Sequence, residues 1–407
     1  MKLFRIIFLM LPILSAHALA ASDAAPIDTA RDVAVVARKL AAYDASQPDK
    51  AAYPNEAKGA SWSTVRAKDW VSGFYPGSLW YTYEYAQRHH WPDAEVWRQR
   101  ADTWTTGLTN EQFTTTNHDL GFMLMDSFGH AYRLTGKPRY KAVVLQAAQS
   151  LATRNRPEVG LIRSWGAIDD LKEYTVIIDN MMNLELLLWA AANGGTTKEG
   201  TAQDLVKIAT RHADRTMVEF FRPDHSTYHV VELDPLSGTV KRKHTAQGKA
   251  DDSCWSRGQT WAIYGFAYLY EATHDRRYLD QSIQAADYYL AHLPADHVPP
   301  SDFNSDLVGL EFKDSSAAAI ACCAFFRLSR LSAEPAVKAR FLQAAVETLK
   351  SLTSAPYFSE SPDQASALRY QARNYHSDPS HRLTNTSLIW GDYYLLEALL
   401  AYEDSRK

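Results

Sequence analysis

The chain has 407 residues, 46% of them hydrophobic and 22% charged, which excludes disordered, collagen-like and low-complexity classes. Lys plus Arg is 43 against Asp plus Glu at 47, a balance that argues against a broad nucleic-acid-binding surface. The aromatic set is large, with Trp 11, Tyr 22 and Phe 15, enough to fill a core and still line a cleft.

Residues 1–20 read as a secretory signal peptide. Lys2 and Arg5 give a basic start, 8–14 is apolar, and Ala18-Leu19-Ala20 forms a small-x-small cut site before Ala21. The apolar run is too short to span a bilayer, and no later segment approaches that length. No contact with a membrane is expected after cleavage. Losing Lys2 and Arg5 takes the formal net charge from −4 to −6. The expectation is an exported protein, periplasmic or secreted, whose mature part 21–407 is one catalytic domain.

An internal repeat organises the mature chain. Tyr132, Thr135, Arg139 and Tyr140 recur at the same offsets as Tyr270, Thr273, Arg277 and Tyr278, and Ala147-Ala148 matches Ala285-Ala286. Each copy is an apolar helix, a short polar turn and an amphipathic helix. Apolar helices are predicted near 73–87, 120–133, 178–192, 256–271, 315–331 and 387–403. Amphipathic partners are predicted near 93–108, 139–153, 202–219, 276–291 and 335–352, with 27–43 as the sixth. Strand signals are sparse: 227–233 pairs locally, with 238–243 as its partner. Six inner and six outer helices predict an all-α (α/α)6 barrel, and an open solenoid is the alternative.

Polar and aromatic residues gather at the starts of the inner helices: Trp70, Asn117-His118-Asp119, Asp179-Asn180, Trp255-Ser256-Arg257, Asp314-Ser315-Ser316 and Trp390-Gly391-Asp392. Inner helices that run the same way bring these residues to one mouth, where free N–H groups favour an anionic ligand. The simplest role for Asp314 and Asp392 is helix capping, and Asp119 and Asp179 are open to the same role. Asp179 lies between Ile177-Ile178 and Met181-Met182, so burial is expected to raise its pKa. Asp119 follows Asn117 and His118 and is expected to ionise more easily. Two carboxylates in unlike surroundings divide acid from base work. Arg257 opens an apolar helix and calls for a carboxylate partner.

Cys254, Cys322 and Cys323 are the three cysteines. The adjacent pair lies in an apolar helix and reads as buried small hydrophobes, while a Cys254 bridge stays open. No zinc-ligand spacing and no dinucleotide or nucleotide-triphosphate motif is present, so no metal or other cofactor is expected.

The motifs together resemble glycoside hydrolase family 88, the unsaturated glucuronyl hydrolases, from about Trp70 to Tyr402. They are Asp69-Trp70 with Gly73-Phe74, His118-Asp119-Leu120-Gly121-Phe122, Ile177-Ile178-Asp179, Ser226-Thr227-Tyr228-His229, Trp255 through Trp261, Asp314-Ser315-Ser316-Ala317 and Trp390-Gly391-Asp392-Tyr393-Tyr394. The resemblance implies an (α/α)6 barrel that removes a 4,5-unsaturated uronic acid from the non-reducing end of lyase products. A proton adds at C4 and water at C5. It implies Asp179 as general acid and base, Asp119 as the second catalytic carboxylate, and Trp70, Trp165, His229, Gln247, Arg257 and Trp261 as substrate-binding residues. The expected partner is an unsaturated uronic-acid oligosaccharide.

The chain departs from relatives at Tyr75, at Asn117 and in the loop 374–380, which puts the identity of the second sugar in question. Alternatives are an unsaturated galacturonyl hydrolase of the family 105 type, acting on pectin fragments, a lyase on a helical toroid, an inverting glycosidase, and a non-catalytic carbohydrate-binding protein.

Overall fold

The computed structural model describes residues 27–375 and 382–407. The signal-peptide expectation falls on 1–20, outside the described residues, as does part of the loop 374–380.

Twelve helices are present among the described residues: α1 (Thr29–Ser46), α2 (Phe74–Arg88), α3 (Ala94–Thr106), α4 (Gly121–Gly129 continuing as His130–Thr135), α5 (Pro138–Ala152), α6 (Asn180–Ala192), α7 (Ala202–Glu219), α8 (Ser256–Thr273), α9 (Arg276–Ala291), α10 (Ser315–Leu331), α11 (Pro335–Leu352) and α12 (Ile389–Ser405). The even-numbered helices are apolar and buried over most of their length. Each packs on the next, and α12 packs on α2, so the ring closes. The odd-numbered helices sit outside, with α1 across α2 and α12. This is the (α/α)6 barrel that the hydrophobic periodicity predicts. Closure buries the faces that an open solenoid would leave at its ends.

The repeat has a physical cause. Gly136 and His274 end α4 and α8 in the left-handed conformation, at φ 65° and 59°, and donate their N–H groups back to Tyr132 and Tyr270. The following Arg–Tyr pair then locks onto an aspartate of the preceding outer helix. Arg139 Nη2 reaches Asp102 at 2.6 Å and the Tyr140 hydroxyl bonds the same carboxylate. Arg277 Nη1 reaches Asp214 at 3.1 Å and Tyr278 Oη reaches it at 3.0 Å. Each copy thus sets the turn and the angle between neighbouring hairpins.

The strands are short but consequential. β1 (Tyr53–Lys58) pairs with β2 (Ser61–Val65) and with β8 (Ser387–Leu388) at the start of α12. β3 (Asn155–Arg156) and β4 (Leu161–Ile162) form a small hairpin. β5 (Tyr174–Ile177), β6 (Val230–Leu233) and β7 (Val240–His244) form one antiparallel sheet. The sequence predicts β6 and β7 and misses β5 and β1–β2. β5 stops directly before the apolar helix predicted from 178, and a strand of this length shows no period of its own.

The three cysteines are buried and free. Cys254 points its thiol to Gln259 Oε1 at 3.5 Å.

Candidate active site

The starts of the inner helices converge at one end of the ring. There a cavity of about 250 Å3 is lined by Trp70, Asp119, Trp165, Asp179, Gln247 and Arg257, all picked out in the sequence. Ile177, Ala246, Arg373 and Asn374 complete the wall.

Asp179 stands at the N-cap position of α6 and makes no capping hydrogen bond, so it is not there to end the helix. Its Oδ2 is buried without a hydrogen-bond partner. Burial pushes its pKa up to about 7, against the pull of the Arg257 charge and the Trp261 indole. Asp119 opens α4 and lies beside it. Burial and the charges of Asp179 and Asp69 push its pKa up to about 8. The expectation that Asp119 ionises more easily is therefore corrected. Its neighbour His118 supplies no positive charge: it is fully buried, held neutral with a pKa lowered to about 3, and its Nε2 lies 3.3 Å from Asp119 Oδ1. Asp119 and Asp179 titrate as a pair that holds a proton near neutral pH.

The first two turns of α4 are π-helical, and Asn183 explains how they are held. Its Oδ1 accepts the N–H groups of Gly121 and Phe122 at 2.8 and 3.2 Å. Its Nδ2 reaches the Asp179 carbonyl at 3.5 Å. Asn183 thereby ties the start of α4 to the start of α6. A side chain at Gly121 would lie 2.8 Å from Asn183 Cα, so the contact requires glycine.

His229 faces the same carboxylate because of strand register. Ile177 pairs with Val230, and Ile178 donates its N–H to the His229 carbonyl at 3.0 Å. His229 Nδ1 accepts the N–H groups of Ala246 and Gln247 at 3.1 and 3.2 Å. That leaves the ring proton on Nε2, which lies 3.7 Å from Asp179 Oδ2. Burial lowers the His229 pKa to about 3, so it is a neutral donor. His229 stands behind Asp179 and does not line the cavity.

Arg257, the second residue of α8, is buried between the Trp255 and Trp390 rings, 4.5 and 5.3 Å from their centroids. Its carboxylate partner is Asp314, with Nη1 to Oδ2 at 2.9 Å. Nη1 also bonds the Ala372 carbonyl, and Nη2 reaches the Arg373 carbonyl at 2.6 Å. Nε is buried and without a partner. Asp314 caps α10 as expected, accepting from Ser316 and Ala317. Asp392 does not cap its own helix: it holds the 366–368 segment, accepting from Ser366 Oγ and the N–H groups of Ala367 and Leu368.

Trp165 is 39% exposed at the mouth and next to Gly166, whose φ of 83° turns the loop. Trp70 is half-buried against Trp390 at 4.9 Å. Gln247 donates from Nε2 to the Arg373 carbonyl at 2.9 Å and joins the two loops of the rim. Trp261 is corrected from a cavity-facing to an underlying position. It is 1% exposed and packs between Phe122 and Tyr394, at 5.1 and 5.7 Å.

Sequence reasoning picked out Asn374 only as the start of the loop 374–380 and missed Arg373 and Asn183. The first two lie in an irregular loop with no periodic signal, and Asn183 reads as a helix-interior residue. Among the described residues no cluster of three or more His, Cys, Asp or Glu side chains is arranged to hold a metal ion. No described helix is long and apolar enough to cross a membrane.

Comparison with known proteins agrees with this geometry. The profile of Glycosyl Hydrolase Family 88 matches residues 44–298. An unsaturated glucuronyl hydrolase of Formosa agariphila is 36% identical over 339 residues, covering 82% of this chain and 80% of that protein. The crystal structure of an unsaturated glucuronyl hydrolase specific for heparin superposes with a TM-score of 0.82 at 31% identity, over 93% of this chain and 97% of that one. A UGL variant with one aspartate changed to asparagine, in complex with dGlcA-Glc-Rha-Glc, superposes with a TM-score of 0.81 at 28% identity, over 92% of this chain and 97% of that one.

Proposed function

The chain belongs to Glycosyl Hydrolase Family 88, and from that premise we propose that it removes the 4,5-unsaturated uronic acid from the non-reducing end of lyase-made oligosaccharides. The carrying observation is the buried pair Asp119 and Asp179, both with raised proton affinity, in a cavity that also holds Arg257. Protonating a carbon at neutral pH needs a carboxyl group that keeps its proton there. The family assignment favours this reading over the family 105 type. A non-catalytic sugar-binding protein would have no need for two carboxyl groups held out of their ordinary range.

In this reading Asp179 gives its proton to C4, and the electrons of the C4=C5 bond form the new C–H bond. Positive charge develops at C5 and on the ring oxygen. Water adds at C5 and returns a proton to the Asp179 carboxylate. The hemiketal opens to a ketone at C5, and the hemiacetal left at C1 releases the second sugar. The pair shares one proton near neutral pH, and the productive form carries it on Asp179 and leaves Asp119, close by, ionised to stabilise the charge at C5. The His229 Nε2–H faces the Asp179 carboxylate from behind, 3.7 Å away, as a neutral group. The substrate carboxylate meets Arg257, and its negative charge offsets the pull of Arg257 on Asp179, favouring the protonated acid when substrate is bound. Trp165 and Trp70 offer ring faces to the sugars, and Gln247 holds the rim.

The similar structures include one specific for heparin and one seen with dGlcA-Glc-Rha-Glc, so lyase-made disaccharides of glycosaminoglycans are the first substrates to try. Hydration removes the C4=C5 chromophore, so loss of ultraviolet absorbance reports turnover. No loss with products from chondroitin, hyaluronan, heparin, gellan, ulvan or pectin would overturn the reading. Export to the periplasm or beyond belongs to the same reading and rests on the composition of residues 1–20. Sequencing the N-terminus of the protein purified from its host tests it, with Ala21 the expected first residue.

A further inference from the structure

The ring has a second opening, where the inner helices end. A cavity of about 800 Å3 lies there, lined by all six of them. A layer of rings separates it from the catalytic cavity: Phe122 packs on Phe74 and Trp261 at 5.4 and 5.1 Å, and Trp261 on Tyr394 at 5.7 Å. Neither Asp119 nor Asp179 reaches it.

The ionisable groups in this cavity do not pair off evenly. Four arginines line it, and carboxylates hold all four. Arg88 and Arg133 both meet Glu84 at 2.5 Å, and Arg327 and Arg330 meet Glu271 at 2.8 and 2.7 Å. Arg88 also meets Asp404 at 2.9 Å. Asp126 on α4, Glu185 on α6 and Glu397 on α12 are left without an ion-pair partner among the described residues. Glu397 accepts from Tyr264 Oη at 2.7 Å. Asp126 Oδ2 is buried with no hydrogen-bond partner. The field of Arg327 tempers Glu185 and Glu397 without pairing them. His130, in the same wall, is held neutral by burial. The inner helices also point their C-termini this way, which adds negative potential.

Between these carboxylates the wall is aromatic, from Tyr81, Trp189, Tyr264, Tyr268 and Tyr394. The three carboxylates are not grouped to hold a metal ion. A ligand that satisfies them carries its positive N–H donors on a spaced organic frame, and the ring faces attract such cations.

We propose that this cavity binds an organic ammonium ligand, a polyamine or a free amino sugar. Its ammonium groups meet Asp126, Glu185 and Glu397, and its carbon frame lies on the tyrosines. Burial raises the pKa of all three carboxyl groups, that of Glu185 to about 7, so binding at neutral pH drives protons off them.

Isothermal titration of the intact protein at pH 7.5 with spermidine and with glucosamine tests this, at matched ionic strength. The expected result is saturable binding of at least one, with proton release that makes the heat depend on the buffer. Spermidine alone points to a linear polyamine and glucosamine alone to an amino sugar, while N-acetylglucosamine stays silent. Glu185→Gln and Glu397→Gln each weaken binding by about tenfold or more and leave hydrolysis unchanged. Affinity of the unaltered protein for spermidine, whose amines stay charged across this range, rises from pH 6 to pH 8 as the carboxyl groups ionise, a readout that needs no variant to fold. Absence of saturable binding by both amines, or an affinity that ignores pH and both substitutions, would overturn the proposal.

Discussion

His229 turns its Nε2–H toward Asp179 Oδ2 at 3.7 Å, and two backbone N–H groups on its Nδ1 fix that tautomer. Strand pairing of β5 with β6 runs to Ile177 and Val230, and the Ile178 N–H to the His229 carbonyl extends it to the residue before Asp179, which brings the two side chains near each other. At that separation the two are not hydrogen-bonded, and the neutral ring faces the carboxyl group without the full charge that would strip its proton.

Asp179→Asn removes the proton donor and keeps the shape. The expected loss is about 10³-fold in kcat, within the range for general acid–base groups, with KM changed only a few-fold. Loss of the substrate chromophore gives the rate. Activity within tenfold of the parent would take Asp179 out of its role.

The pH profile is set by the raised pair. A reaction that needs the proton on the pair slows as the pH climbs through about 7 to 8. A rate that stays flat to pH 9 would contradict that. Stability carries the same sign. Both groups bind protons more tightly folded than unfolded, so stability falls as pH rises from the ordinary carboxyl range toward the folded pKa. Asp119→Asn is therefore expected to raise Tm, more at pH 8 than at pH 5, in thermal melts at the two values.

Asp314 and Arg257 form a fully buried ion pair. Asp314→Ala leaves the guanidinium uncompensated and removes the cap of α10. The expected destabilisation is about 3–5 kcal/mol in urea titrations. Arg257→Lys keeps the charge and loses the fork that holds the Ala372 and Arg373 carbonyls, so the rim loosens and KM rises.

Trp165 is exposed at the mouth of the cavity that Asp119 and Asp179 also line. Trp165→Ala is expected to raise KM by roughly 2- to 10-fold and leave kcat near its parent value, from the worth of one stacked ring. Steady-state kinetics on a disaccharide would separate the two, and a fall in kcat with KM unchanged would place Trp165 elsewhere in the reaction.

The repeat of Tyr132 in Tyr270 and of Tyr140 in Tyr278 was enough to find the hairpins, because a turn and its interhelical lock use residues close in sequence. β5 was hidden because Tyr174–Ile177 runs directly into the apolar start of α6, and a strand of this length has no periodicity of its own. Arg373 was hidden, and Asn374 visible only as the start of the loop 374–380, because an irregular loop carries no pattern that aims a side chain.

The sequence by itself determined the ring of helices and the residues at their starts, since hydrophobic period and helix ends are local properties. Only the tertiary structure decided where the protons sit. Asp119 looked the more easily ionised from its neighbours Asn117 and His118, yet burial and the charges of Asp179 and Asp69 raise its proton affinity, and it shares a proton with Asp179. It also decided that Arg257 belongs to Asp314, that His229 serves Asp179, and that Trp261 lies beneath the cavity. Desolvation and Coulomb fields depend on distance through space, and these partners stand far apart along the chain.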